Sequence, residues 1–368
     1  MGLKDGASWP VKIASFWKLP EVVLPEEHGP LQEWLAGRSE FQDHVVFKTS
    51  GSSGVEKWVA LSKGALEWSA RRVIDYLEMT SSDVCGLALP AVHVGGFGLM
   101  LRAHLSGASL VEFEGKWNAE RFAAWCTREG VTVSSLVPTQ VSDLVEAGLR
   151  APDSLRSVVV GGGVLKPDLA ERAKLFGWPV LPSYGMTETA AQIATGDGLP
   201  LFDGWEAGIE DGCLSLKGGG LLTAVIRRAG GRFVADDPKV DGWFLTSDRA
   251  ELDGRNLAIL GRADRQVKVL GKLVDLGVLE GFWRETLGCE VALAARPDER
   301  RGAALILFVE GEVEGIQGLN EALPGPERLM AYQVLQRLPR SPLGKIDQTK
   351  LREIPSDLRC FARVDQES

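Results

Sequence analysis

From His44 to Thr49 the chain reads "HVVFKT", an apolar run that ends in the glycine- and hydroxyl-rich stretch "KTSGSSGVEK", Lys48 to Lys57. Beyond it, Leu66, Ala70, Val73 and Leu77 recur at helical spacing, with Ser62 placed to cap the first turn. The predicted order is strand, loop, helix, in which a loop of small residues and a helix N-terminus point N–H groups at an anion. The same composition also builds plain surface turns. The next stretch, Val84 to Leu101, holds no Asp, Glu, Lys or Arg. Its length is near that of a membrane span, but Pro90, His93 and several glycines interrupt it. It reads as a buried strand, a turn and a buried helix.

A second unit follows the same logic more plainly. "LRSVVVGGG" is a buried strand stopped at Gly161, Gly162 and Gly163, and "KPDLAERAKLFG" is a helix with Pro167 in its first turn and Gly177 past its end. "WPVLPSYGMTET" is another strand, running into a polar loop. Strand, helix and strand at this spacing imply parallel strands, so both loops leave one sheet edge, where ligands of such sheets sit. From Gly204 to Arg262 the pattern changes to short alternating runs with Gly and Asp turns, the mark of antiparallel strands. From about Arg265 onward, strand-like and helix-like runs mix in a small α+β unit, and the boundary falls near Asp264.

Composition narrows the function. A net charge of -9 disfavours a nucleic-acid partner, whose binding surface is normally basic. The five cysteines are scattered without a C-x-x-C pair, and the four histidines show no metal-ligand spacing. The N-terminal residues lack the apolar run of a signal peptide, so the expectation is a cytoplasmic protein with no membrane span. The opening loop is not a Walker-type loop, because Gly54 is followed by Val55 and Lys57 by Trp58.

Five stretches, in order, resemble the adenylate-forming superfamily of acyl- and aryl-CoA ligases, luciferases and peptide-synthetase adenylation domains. They are Thr49 to Lys57, Gly161 to Leu165, Tyr184 to Glu188, Thr246-Ser-Asp248 with Gly261-Arg-Ala-Asp264, and Leu338 to Asp347. The resemblance implies an α/β fold, with a large N-terminal domain of mixed, mainly parallel sheets flanked by helices and a small antiparallel subdomain. A small mobile α+β domain would complete it. Residues 1–263 would form the large ATP- and acid-binding domain, and 264–368 the small one carrying the catalytic lysine.

It also implies a reaction and its participants. A carboxylate would be activated by ATP and Mg²⁺ as an acyl-adenylate and then passed to CoA. Thr49, Ser50, Gly51, Ser52, Ser53, Gly54 and Lys57 would hold phosphate. Thr187 would donate to the α-phosphate, and Glu188 would bind the metal. Gly161, Gly162 and Gly163 would lie against adenine with Tyr184 stacked on it. Asp248 and Arg262 would bind ribose, Gly271 would border the pantetheine path, and Lys345 would enter the site during adenylation.

His93 in "HVGGFG" and the run "SLVPTQV" look like the o-succinylbenzoate–CoA ligase branch, which puts His93 on the acyl pocket. Only 48 residues precede Thr49, so a reduced first subdomain is expected. Two departures stand out: Thr-Ser-Asp where many relatives have Thr-Gly-Asp, and Leu276 where they carry proline. A ligase for another aryl or fatty acid, or one loading a carrier-protein thiol, fits the same motifs. A non-catalytic nucleotide-binding relative is the further alternative, against which stands the presence of both Glu188 and Lys345.

Overall fold

The computed structural model describes residues 13–14, 17–49, 56–340, 346–354 and 358–361. Strand β1 (His44–Thr49) pairs antiparallel with β2 (Lys57–Ser62), His44 opposite Ser62 and Thr49 opposite Lys57. The expected direct passage from loop to helix is therefore corrected to a hairpin. The physical reason is the run Trp58 to Leu61, which is buried throughout and must pair its backbone as a strand. The helix Lys63–Tyr76 begins only after Ser62, whose Oγ accepts the Ala65 N–H at 3.0 Å. Leu66, Ala70 and Val73 form its buried stripe, as their spacing predicts.

Six strands build the main sheet: β3 (Val84–Leu87), β4 (Ser109–Glu112), β5 (Val133–Leu136), β6 (Ser157–Val160), β7 (Val180–Met186) and β8 (Ala191–Thr195). Their order is β4-β3-β5-β6-β7-β8, with the first five parallel and β8 antiparallel to β7. Val84 to Ser106 forms the predicted strand, turn and buried helix, the helix running Val94–Ser106. Gly96 lets that helix lie on the preceding turn, since a Cβ there would come within 2.4 Å of the Pro90 carbonyl. The helix Pro167–Leu175 starts at proline as expected. Ser183 to Met186, read as loop in the sequence, instead continue β7 because β8 supplies a partner strand.

The alternating region forms β9 (Glu206–Glu210), β10 (Cys213–Lys217), β11 (Ala224–Ala229), β12 (Arg232–Asp236), β13 (Phe244–Asp253) and β14 (Asn256–Arg262). Strands β11 and β12 extend the first hairpin into the sheet β1-β2-β11-β12, and the others form β14-β13-β10-β9. The C-terminal part contains the hairpin β15 (Gln266–Val269) and β16 (Lys272–Asp275), then the helix Leu276–Leu287. Strands β17 (Val291–Asp298), β18 (Gly302–Glu310), β19 (Ala331–Leu335) and β20 (Arg359–Cys360) complete it as one sheet.

The fold is thus α/β, with a mainly parallel sheet flanked by helices and a smaller C-terminal part. Two compact units are formed. One comprises residues up to Glu210 with Ser215–Leu245 and Leu252–Ala258. The other comprises Asp211–Leu214, Thr246–Glu251 and the chain from Ile259. Their cores differ: Phe122, Val131, Leu136, Val158 and Trp178 pack in the first, Trp283, Val291, Leu305 and Leu307 in the second.

Candidate active site

In the first unit, Thr49 and Lys57 close the base of the hairpin, and the Thr49 hydroxyl donates to the Lys57 carbonyl at 3.4 Å. Ser50, Gly51, Ser52, Ser53 and Gly54 lie outside the described residues. Lys57 Nζ donates to Glu188 Oε1 at 2.7 Å, joining the hairpin to the "YGMTE" stretch across 131 positions of sequence. Glu188 sits in the 3₁₀ turn Thr187–Thr189 with its side chain 13% exposed.

Local constraints hold that turn. The fully buried Thr189 hydroxyl accepts the Met186 N–H at 3.0 Å and donates to backbone carbonyls. Ala190 and Ala191 follow at φ 53° and 84°, a left-handed path that costs a side-chain-bearing residue energy. The Ser69 hydroxyl donates to the Ala190 carbonyl at 2.9 Å, fixing it there. Gly185 is required by the neighbouring strand, because a Cβ would lie 1.8 Å from the Ala191 carbonyl oxygen. Thr187 opens the turn and so stands beside Glu188.

Gly161 and the "SYG" stretch come together at the carboxyl ends of β6 and β7. The Ser183 hydroxyl donates to the Val160 carbonyl at 3.0 Å, and a Cβ on Gly161 would approach that hydroxyl to 2.9 Å. Gly162 and Gly163 are exposed beside it, with Gly162 at φ 76°. Tyr184 is half-buried on β7, opposite Ala194 of β8. His93 occupies the N-cap of the helix Val94–Ser106, also half-buried.

That helix carries a residue the sequence reading passed over. Arg102 is 2% exposed, yet it hydrogen-bonds to neutral side chains. Nη1 donates to Gln192 Oε1 at 2.7 Å and Nη2 to Ser135 Oγ at 3.4 Å, while the buried Nε has no hydrogen-bond partner. Burial lowers its pKa to about 10. Ser135 belongs to "SLVPTQV" and Gln192 follows "YGMTE", so Arg102 draws three motif stretches together at the carboxyl edge of the sheet. Its signal in the sequence was a lone cation inside the apolar run Leu99 to Ala103.

In the second unit, Asp248 is buried and its N–H donates to Thr246 Oγ1 at 3.0 Å. Arg262 reaches Asp248 Oδ1 through Nη1 at 3.0 Å and grips Asp264 through Nε and Nη2 at 2.8 and 2.6 Å. Gly271 lies in the turn between β15 and β16 at φ 79°, with open space where a Cβ would be. Leu276 stands at the first position of the helix Leu276–Leu287, capped by Asp275. Proline is favoured there for its fixed φ, but leucine continues the helix equally well. Lys345 lies outside the described residues. The described residues on either side are joined, the Asp347 N–H donating to the Pro339 carbonyl at 2.8 Å and Arg340 bridging to Ile346.

Among the described residues no group of three or more His, Cys, Asp or Glu side chains could hold a metal alone. Glu188 offers a single carboxylate. Such a site fits Mg²⁺ that arrives with phosphate oxygens and water as its other ligands. No helix among the described residues is long and apolar enough to cross a membrane.

Residues 40–208 match the family model described as AMP-binding enzyme. A 2-succinylbenzoate–CoA ligase of Listeria monocytogenes is 27% identical over 344 residues, covering 88% of this chain and 72% of that protein. An indoleacetate–CoA ligase of Aromatoleum aromaticum is 28% identical, covering 84% and 67%. The o-succinylbenzoate CoA synthetase of Bacillus subtilis, solved with its acyl-adenylate intermediate OSB-AMP, superposes with a TM-score of 0.73. At 24% identity, covering 86% of this chain and 70% of that one, this likeness speaks to the fold. The matched region encloses both the Thr49–Lys57 hairpin base and the Thr187–Glu188 turn, and in sequence and fold the chain is similar to AMP-binding, adenylate-forming ligases.

Proposed function

We propose that this chain is an ATP-dependent acid–CoA ligase whose acid carries a second carboxylate, with o-succinylbenzoate as the favoured substrate. The observation that carries the choice of acid is Arg102. A guanidinium held almost fully out of water beside neutral partners, with one N–H unsatisfied, is costly unless an anion arrives. A carboxylate matches its planar donor fork better than any neutral group. Activation requires one carboxylate of the acid at phosphorus, so the anion that answers Arg102 is a second one.

The chemistry proceeds in two balanced steps. A carboxylate oxygen of the acid attacks the α-phosphorus of ATP, the bond to the β-phosphate bridge breaks, and pyrophosphate leaves. The CoA sulfur then attacks the acyl carbonyl, the bond to the AMP oxygen breaks, and the thiol proton passes to solvent. The first step brings an anion towards a polyanion, so fixed positive charge and donors are its main need. Lys57 and the hairpin loop would receive the outgoing phosphates, and Thr187 the α-phosphate. Glu188 would hold Mg²⁺, which neutralises phosphate charge when bound. Gly161 to Gly163 leave a wall without side chains for a flat base beside Tyr184. Asp248, oriented by Thr246 and Arg262, is a carboxylate suited to two ribose hydroxyls. Lys345 would supply the cation for adenylation, and the turn at Gly271 would admit the pantetheine arm. His93, at the head of the Arg102 helix, would line the acyl pocket.

The test is pyrophosphate release from ATP and Mg²⁺ with o-succinylbenzoate, benzoate, indoleacetate, a medium-chain fatty acid or no acid, followed by CoA. Release confined to o-succinylbenzoate, then AMP and a thioester, is expected. Equal release with monocarboxylic acids would keep the reaction and remove the second carboxylate. A thioester formed only on a carrier-protein thiol would replace CoA as acceptor. Silence with every acid would leave a nucleotide-binding relative without ligase activity.

A further inference from the structure

The Lys57–Glu188 pair points to a role beyond either residue's own ligand. Both side chains are mostly buried, at 29% and 13% exposure, and their contact is a short 2.7 Å. Their backbones share one support. The Leu222 N–H donates to the Glu188 carbonyl at 2.9 Å, and the next residue, Thr223, donates to the Ala60 carbonyl of β2 at 2.8 Å. Strand β11 begins immediately afterwards and pairs with β2. The hairpin and the 3₁₀ turn are therefore fastened together through consecutive N–H groups, whichever partner their side chains take.

Lys57 has three N–H donors but a single positive charge, so a phosphate that draws on that charge weakens its hold on Glu188. When a triphosphate draws the ammonium away, Glu188 is left as a mostly buried carboxylate beside a polyanion, a costly arrangement. No nearby cluster of acids or histidines among the described residues would bind a metal in advance and remove that cost. We propose that Lys57 is a positioning residue that exchanges partners. It neutralises Glu188 in the free protein and moves to phosphate when nucleotide binds, so that Glu188 becomes available to a divalent cation only then. Metal-free ATP is thus penalised by the protein itself, and the metal is admitted with the nucleotide. This inference rests on the proposed ATP site.

Its distinctive consequence is a gain of function. Glu188→Gln should bind ATP more tightly than wild type in EDTA, by about five- to tenfold, because no pair has to be broken. In Mg²⁺ the same variant should bind ATP more weakly than wild type. The gain in EDTA should shrink severalfold when Glu188→Gln is introduced into a Lys57→Met background, where there is no pair to break. Calorimetric titration of ATP into the four proteins, each checked for folding by its thermal melt, reads these effects directly. An equal gain on both backgrounds would reduce Glu188 to simple repulsion of phosphate and overturn the exchange. No gain in EDTA would overturn it as well. Failure of wild type to bind ATP in Mg²⁺ would instead sink the ATP site, which separates the two readings.

Discussion

Two arginines of the first unit, Arg102 and Arg156, sit at opposite edges of the same parallel sheet and have opposite partners. Arg156 immediately precedes β6 and Asp83 immediately precedes β3, so they meet at the amino ends of the strands. There Nε and Nη2 of Arg156 each donate to Asp83 at 2.9 Å, and Thr132 adds a hydrogen bond to the same carboxylate. The guanidinium holds the Asp83 carboxyl well below the usual range, at about 2. Arg102, at the carboxyl edge, has an amide, a hydroxyl and an unanswered Nε. A cation matched inside the protein is a structural element, whereas one left with neutral partners is, on the proposed function, held for the anion of the acid.

The sharpest way to break this comparison is to remove both cations in turn. Arg102→Met should lower kcat/KM for the dicarboxylic acid by about a hundred- to a thousandfold, the scale for deleting one side of a buried charged contact. Its melting temperature should be unchanged or higher, because an uncompensated buried charge has gone. A lost fold with no substrate dependence would show that the two arginines do the same job.

Arg156→Met should do the reverse. It leaves Asp83 buried and unpaired, which predicts a loss of about 3 kcal/mol of stability, read from urea unfolding. The protein that remains folded should keep its kcat/KM. Replacing both partners, Asp83→Leu with Arg156→Met, should recover much of the loss.

A smaller effect comes from pH. The folded Asp83 titrates at about 2 against an ordinary 3.8, so the unfolded chain binds more protons between these values. The stability it contributes, about 2 kcal/mol, is complete above the ordinary value and is lost as pH falls through about 2. Acid unfolding of wild type and Asp83→Asn should converge at the low end of that window. Curves that stay parallel would mean that the Asp83–Arg156 pair does not set the acid limit.

Much of the fold was legible because its signals are local. The stripe Leu66, Ala70, Val73, the proline-started helix at Pro167 and the burial of Cys85 to Leu87 and of Gly96 to Ala103 each follow from spacing and side-chain size. The hairpin was missed because "KWVALS" is only six residues long and runs without a break into a helix. Ser183 to Met186 were missed as strand because a polar stretch becomes one only when a partner such as β8 lies beside it. Arg102 was passed over because one cation in an apolar helix shows nothing of what faces it.

The sequence by itself determined the order of the motifs and the elements that carry them, since periodicity, capping and chain-breaking residues act over a few positions. Only the tertiary structure decided which charges meet. Lys57 finds Glu188 from 131 positions away because the hairpin strand β2 packs against the Thr187–Thr189 turn, and Arg102 finds Gln192 from 90 because its helix packs on β8. It also decided that Asp83 would satisfy Arg156 while Arg102 would be buried beside neutral groups. The cost of a charge depends on what surrounds it after folding, and no local pattern records that environment.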